Sequence, residues 1–310
     1  MTEAYRTRLA PSPTGDLHLG HARTSLVAWL RARTLGGSLV MRIEDLDGPR
    51  VREGATEAIC ADLRWLGIDW DEGPDVGGAR GPYVQSQRVP FYEEALEELA
   101  RKGFIYACTC TRREIRAIAS APHGEETPRY PGLCRRGPTH PGRPASLRFR
   151  MQEPSPGFRD VVHGRIGAGL VGGDFVVRRS DGLFAYQLAV VVDDAAMGVT
   201  EVVRGDDLLT STPRQIALYR ALGRPEPAWL HVPLVLGPDG KRLSKRHGAV
   251  SIAGYREAGW SAERVVGMLA ASLGLVRRGA EADPAALLPS FDPERLPREP
   301  ATLDPPVPVA

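Results

Sequence analysis

The chain has 310 residues, of which 42% are hydrophobic and 25% charged, and its 40 Lys+Arg against 38 Asp+Glu give a net charge of +2. That length holds one large or two small domains with a real core, and the composition excludes a disordered chain. There is no apolar run of ~18 residues, no basic-then-apolar leader, and four cysteines are too few for a disulfide framework, so the cytoplasm is the expected compartment.

The small net charge hides an uneven distribution. Residues 51–100 carry four Arg against eleven Asp/Glu, and residues 101–150 carry eleven Lys/Arg against three Glu. A basic block of this kind suits a polyanion. The plainer reading is a solvated surface whose charges compensate within the fold.

The chain opens on a strand-like run, Tyr5 to Ala10. Pro11-Ser12-Pro13-Thr14-Gly15-Asp16-Leu17-His18-Leu19-Gly20-His21 follows, leading into an amphipathic stretch from Leu19 to Leu35 that Gly36-Gly37 ends. Strand, Gly/Pro loop and helix start make an anion site, because free N–H groups and the helix dipole both favour a phosphate. His18 and His21 can donate to phosphate oxygens there, and Gly20 lets a flat base approach the backbone. The alternative is a loop with two surface histidines. Leu39 to Ile43 reads as a second strand that delivers Glu44 to its carboxyl end, where ligands sit in open α/β sheets. Arg52 to Leu66 and Arg88 to Arg101 read as helices, ended by Gly67 and Gly103. This βαβα order predicts an α/β fold with a Rossmann-type doubly wound parallel sheet.

From Ile105 to Leu183 the rhythm breaks. Pro, Gly and Arg dominate, three of the four cysteines fall here, and Ser146 to Arg150, Arg159 to Ile166 and Phe175 to Arg178 read as strands. Cys108-Thr109-Cys110 and Cys134 supply three soft ligands suited to tetrahedral zinc. Tyr130, His123 and His140 are candidates for the fourth place, and three packed, reduced thiols are the alternative. Cys60 lies within a helix and is expected to be core. Residues 105–183 are expected to form an inserted subdomain in a catalytic domain split between 1–104 and 184–248. After the insertion, Tyr186 to Val192 reads as a buried strand and Val199 to Val203 as another. Thr212 to Leu222 reads as a helix with Pro213 in its first turn, and His231 to Leu236 as a strand. A basic loop follows, Gly240-Lys241-Arg242-Leu243-Ser244-Lys245-Arg246-His247-Gly248. Residues 249–290 are expected to be helical, at Ser251 to Ala258 and Ala262 to Leu273, and the proline-rich residues 291–310 to be a disordered tail.

The chain's only lysines are Lys102, Lys241 and Lys245. Two of the three therefore lie in the basic loop, where a compact, mobile ammonium is useful. His18-Leu19-Gly20-His21 together with Arg242-Leu243-Ser244-Lys245-Arg246 resembles the paired signatures of class I aminoacyl-tRNA synthetases. Pro11 to Gly15 and Lys245 to Gly248 are similar to the glutamyl branch of that class. The resemblance covers about residues 5 to 275. Discriminating glutamyl synthetases continue into a large anticodon-binding domain, whereas about 64 residues follow Arg246 here, a plan that resembles the glutamyl-queuosine family.

The resemblance implies ATP-dependent, tRNA-independent activation of L-glutamate to glutamyl-adenylate. Glutamate would then pass to the queuosine at the wobble position of tRNA(Asp), whose anticodon stem-loop is the implied RNA partner of a monomeric enzyme. It implies catalytic roles for His18, His21 and Lys245. ATP, with Mg2+, would meet His18, Gly20, His21, Ser244 and Lys245. Glutamate would meet Arg8, Leu9, Ala10, Pro11, Ser12, Glu44, Tyr186 and Arg204. One structural zinc would be held by Cys108, Cys110, Tyr130 and Cys134.

The residue types suit that chemistry. The amino acid's own carboxylate attacks the α-phosphate, so positioning and charge stabilisation suffice. Arginine pairs with carboxylates and Glu44 with an ammonium. Asp206-Asp207 either orients Arg204 or meets the ATP ribose. Three other readings compete. A truncated discriminating enzyme would charge the end of tRNA(Glu). A small-molecule nucleotidylyltransferase would share the His-x-Gly-His loop, but the basic loop and the cysteine pattern speak against it. Intact His18, His21 and Lys245 speak against a non-catalytic RNA-binding relative.

Overall fold

The computed structural model describes residues 4–111, 113–115, 129–237, 239–240 and 251–303. Residues 241–250, with Lys241, Ser244 and Lys245 of the basic loop, lie outside the described residues, as do His123 and residues 304–310.

Strand β1 (Arg6–Leu9) crosses through helix α1 (Leu19–Thr34) to a parallel partner, β2 (Ser38–Met41). A helix is the usual route between parallel neighbours, because a tight turn cannot reverse the chain twice. Gly37 lies where any Cβ would fall 2.4 Å from the Tyr5 carbonyl, so glycine alone permits the return into β2. Helices α2 (Ala55–Trp65) and α3 (Val89–Arg101) follow. The next five strands are β3 (Ile105–Cys108), β4 (Ser146–Phe149), β5 (Phe158–Asp160), β6 (Gly164–Ile166) and β7 (Phe175–Arg178). Then come α4 (Tyr186–Ala196), β8 (Glu201–Gly205), α5 (Thr212–Leu222), β9 (Ala228–Val232) and β10 (Val235–Leu236). Helices α6 (Ile252–Glu257), α7 (Ala262–Ser272) and α8 (Pro284–Leu287) precede a last strand, β11 (Ala301–Thr302).

Strands β8 and β9 pair in parallel, and Thr200, leading into β8, donates to the Arg6 carbonyl at 2.9 Å beside β1. Successive side chains of these strands enter opposite cores, as the two-residue period requires. Leu39, Met41, Val203, Leu230 and Val232 pack with α1, α2 and α7. Val40, Val202 and Trp229 pack with α3, α4 and α5. The parallel strands are thus covered by helices on both faces, and the expected α/β order holds. Strands β3, β4 and β7 form a separate antiparallel sheet in the order β3-β4-β7.

Four local expectations differ from the structure, the first being that His231 to Leu236 is divided between the end of β9 and β10. Tyr186 to Val192 is the first part of α4 and not a strand. A short apolar run buried among helices has no period that separates strand from helix. The run continues through Asp193 to Ala196, a length that suits a helix, and Gly198 ends it at φ 67°. Arg159 to Ile166 is a hairpin of two short strands, and β5 pairs with β9 in parallel at Asp160 and Trp229. Residues 291–303 are not a loose tail. Phe291 and Leu296 are buried in the α1 core, and β11 pairs in parallel with β10.

Candidate active site

The parallel strands end beside one another, and the loops beyond them are tied together. Arg42 donates from its backbone to the Leu9 carbonyl at 2.8 Å, and Glu44 to the Pro11 carbonyl at 3.0 Å. Ser12, Glu44 and Tyr186 line one cleft of about 820 Å³. Arg8 and Arg204 lie a layer beneath, at 3% and 4% exposure.

These buried charges are paired, as burial requires. Arg8 donates from Nε to the Asp194 carboxylate at 3.3 Å and from Nη1 to the Val203 carbonyl at 2.8 Å, which leaves Nη2 outside these bonds. Arg42 is fully buried. It donates to Asp194 Oδ1 at 2.6 Å and to Glu44 Oε1 at 2.9 Å, and lies 3.7 Å from Asp193. Burial opposes the Arg42 charge, but Asp194, Glu44 and Asp193 outweigh it and hold the guanidinium firmly protonated. Burial also raises the Glu44 pKa, with Arg42 and Arg8 offsetting only part of the rise. At Asp194 burial is overcome by Arg42 and Arg8, so its carboxyl lies below the usual range.

Arg204 is held by its neighbours. Nε donates to His231 Nε2 at 3.1 Å and Nη1 to Gln215 Oε1 at 2.7 Å. Nη2 donates to Thr212 Oγ1 at 2.8 Å and the Leu208 carbonyl at 3.3 Å. Tyr186 interacts electrostatically with Arg204. Its own pKa is raised by burial, against the pull of Arg204. Behind His231 sits Asp160, whose Oδ2 accepts from His231 Nδ1 at 2.6 Å and from the His231 backbone at 3.0 Å. Arg42, Asp194, Asp160 and His231 were not singled out by the sequence reading. The available signal was polarity in apolar company: Arg42 within β2's continuation, Asp193-Asp194 after Val190-Val191-Val192, and His231 within Trp229-Leu230-His231-Val232.

The first motif opens α1 as expected. His18 is its N-cap, with extended backbone at φ −99° and ψ 159°, and His21 is exposed on the first turn. No atom lies within 4 Å of where a Gly20 Cβ would stand, so the helix start is open to a ligand. His18 forms an antiparallel bridge with Ser251, and Ile252 donates to the Leu17 carbonyl at 2.9 Å. Ser251 is six residues after Lys245, so the chain leaving the basic loop is fixed to the first motif.

The sulfurs of Cys108, Cys110 and Cys134 lie within 4.8 Å of one another. The Tyr130 hydroxyl is 3.3 Å from Cys108 Sγ and 3.6 Å from Cys110 Sγ, and Cys110 and Cys134 are 3.6 Å apart. A tetrahedral metal with bonds of about 2.3 Å to sulfur needs edges of about 3.8 Å, so this donor set fits a metal ion. Arg148 lies over the Tyr130 ring at 3.9 Å and offsets the negative charge of such a set. His140 is instead paired with Glu114 at 3.3 Å. Cys108, Thr109, Cys110 and Thr111 line the same cleft as Glu44 and Tyr186, and so does Arg143 of the basic block. Cys60 is buried against α2's core neighbours, as expected. No helix among the described residues is long and apolar enough to cross a membrane.

The fold and the two-part site define a class. Residues 4–283 match the family "tRNA synthetases class I (E and Q), catalytic domain", and the chain belongs to that family. Within it, the chain is 56% identical to a glutamyl-Q tRNA(Asp) synthetase of Symbiobacterium thermophilum, over 96% of this chain and 95% of the relative. It is 49% identical to a glutamate–tRNA ligase of an Anaeromyxobacter species, over 85% of this chain but 57% of that protein. Its fold superposes with a TM-score of 0.84 on the crystal structure of a glutamate-tRNA synthetase from Elizabethkingia anophelis, at 29% identity, covering 97% of this chain and 68% of that one.

Proposed function

We propose that this protein activates L-glutamate with ATP, without RNA, and transfers it to the queuosine of tRNA(Asp). The observation that carries the reading is one cleft lined by Ser12, Glu44 and Tyr186, with Arg8 and Arg204 buried beneath it and in electrostatic reach of Tyr186. The acceptor is supported by the identity to the glutamyl-Q tRNA(Asp) synthetase of Symbiobacterium thermophilum.

Each residue has a role in this reading. Glu44, whose pKa burial raises, takes the substrate ammonium, which restores favourable charge pairing to a buried carboxylate. Arg8 Nη2, Tyr186 and Arg204 receive the substrate's side-chain carboxylate, and the turn from Leu9 through Ala10 and Pro11 to Ser12 shapes the pocket. His18, Gly20 and His21 hold ATP at the α1 start, with Ser244 and Lys245 as the expected partners from the basic loop. The glutamate α-carboxylate attacks the α-phosphate and pyrophosphate leaves, its charge met by those donors; Mg2+ bound with ATP would supply further charge stabilisation. Cys108, Cys110, Tyr130 and Cys134 would hold a structural zinc, which supplies rigidity to the cleft wall. The catalytic unit is split, 1–104 with 184–248, around the cysteine-bearing insertion, and acts as a cytoplasmic monomer.

The test has two stages. Glutamate, and neither glutamine nor aspartate, should support ATP–pyrophosphate exchange with no RNA present. Labelled glutamate should then appear on queuosine-containing tRNA(Asp) and not on the same tRNA lacking queuosine. Activation that depends strictly on tRNA(Glu), with charging of its terminal adenosine, would replace this reading by that of a discriminating synthetase.

A further inference from the structure

The chemistry of the buried chain behind Arg204 is determined by its donors and acceptors. Asp160 accepts three backbone N–H groups, from His231 at Oδ2 and from Val162 at 3.0 Å and His163 at 2.9 Å at Oδ1, and its Oδ2 lies 2.6 Å from His231 Nδ1. A carboxyl so surrounded has no room for a proton and is ionised. Its partner nitrogen, His231 Nδ1, must then be the donor. On the other side of the ring, Arg204 Nε is obligatorily a donor, so His231 Nε2 must present a lone pair. His231 is therefore neutral and carries its proton on Nδ1. The side chains of Asp160 and His231 are fully buried.

The same logic continues outward. Gln215 Oε1 accepts from Arg204, which directs the Gln215 amide to Gln187 Oε1 at 2.9 Å, and Gln187 donates onward to Ser211 at 2.9 Å. Trp229 lies under the guanidinium at 5.1 Å. Four of the five Arg204 N–H groups are committed to acceptors on the protein side, and Tyr186, which lines the cleft, interacts electrostatically with the guanidinium. The committed donors fix the guanidinium next to the cleft and leave one Arg204 N–H outside these bonds.

We propose that Asp160 and His231 are positioning residues for amino-acid recognition: ionised Asp160 fixes the Nδ1–H tautomer of His231, whose Nε2 lone pair sets the plane of Arg204, which with Tyr186 meets the substrate carboxylate. Neither residue touches the cleft. The inference rests on the function proposed above.

Glutamate-dependent exchange separates this role from a merely structural one. His231→Leu removes the acceptor and should raise KM for glutamate about tenfold or more, the loss expected for a hydrogen bond to a charged group. KM for ATP should stay near its wild-type value. His231→Gln keeps an acceptor near the Nε2 position and should recover most of the glutamate affinity. Asp160→Asn sets an amide N–H against Nδ1–H, turns the ring to the wrong tautomer, and should behave like His231→Leu. Unchanged KM for glutamate in His231→Leu, or equal rises for glutamate and ATP, would overturn the proposal. Should the variants fail to fold, nitrogen NMR of the wild-type histidine rings decides. A neutral Nδ1–H signal for His231 at pH 7 supports the proposal, and an Nε2–H tautomer or an imidazolium overturns it. A wild-type protein with no glutamate-dependent exchange would instead count against the function itself.

Discussion

Arg8 illustrates how one side chain serves both fold and ligand. Two of its nitrogens hold Asp194 and the β8 backbone, and the third lies outside these bonds and is assigned to a substrate carboxylate in the proposed function. Arg8→Ala should lower kcat/KM for glutamate in pyrophosphate exchange by about 2–5 kcal/mol, because a buried charge then lacks its partner. Equal activity with glutamine in the wild type would remove the basis of that expectation. His231 makes a stability prediction as well. Burial pushes its pKa from 6.5 down to about 4, against its hydrogen bond to Asp160. The unfolded chain therefore takes up this proton before the folded one does, so stability is lost as pH falls from about 6.5 towards 4. The loss is about 3 kcal/mol at most. Urea midpoints should fall more steeply over that range in the wild type than in His231→Gln, which has nothing to titrate.

At the scale of elements, α4 does two jobs because consecutive helical residues point about 100° apart. Asp193 receives Gln85 at 2.7 Å, Tyr92 at 2.9 Å and Arg88, which binds α3, while Asp194 receives Arg8 and Arg42 under the site. The C-terminal segment is an element in its own right. Leu296 is 4% exposed in the α1 core, and Leu296→Ala should cost about 2–4 kcal/mol in urea unfolding. A change within experimental error would mean the segment does not stabilise the fold. The cysteine turn closes β3 against the segment containing Tyr130 and Cys134. Protein purified without chelator should carry about one zinc per chain. Cys134→Ser should speed amide exchange in β3 and β4 while leaving α1 protected; uniform loosening would speak against a local metal site.

For the whole molecule, activation and transfer should separate by salt. The charges beneath the cleft are paired and buried, whereas exposed arginines such as Arg50, Arg143 and Arg179 line the cleft itself. Exposed cations that meet phosphates release counterions on binding, so affinity for RNA falls steeply with ionic strength. Raising salt from about 50 to 200 mM should weaken glutamate transfer to tRNA(Asp) by tenfold or more while changing RNA-free exchange little. Parallel losses in both steps would place the salt effect in activation.

The sequence by itself determined the α/β order, the helix start at His18, most element boundaries and the three-cysteine cluster. All of these rest on local signals: glycine stops, helical spacing, a Cys-x-Cys turn. It also led to the family, through motifs that are contiguous in the chain. The tertiary structure decided what local patterns leave open. The run from Tyr186 is a helix because helices surround it, and residues 291–303 are ordered because their few apolar side chains find the α1 core. Asp160 and His231 are 71 positions apart, and Arg8 and Asp194 are 186 apart. Each reads alone as an ordinary polar residue. Only the fold removes them from water, and burial without water is what forces each donor onto a particular acceptor.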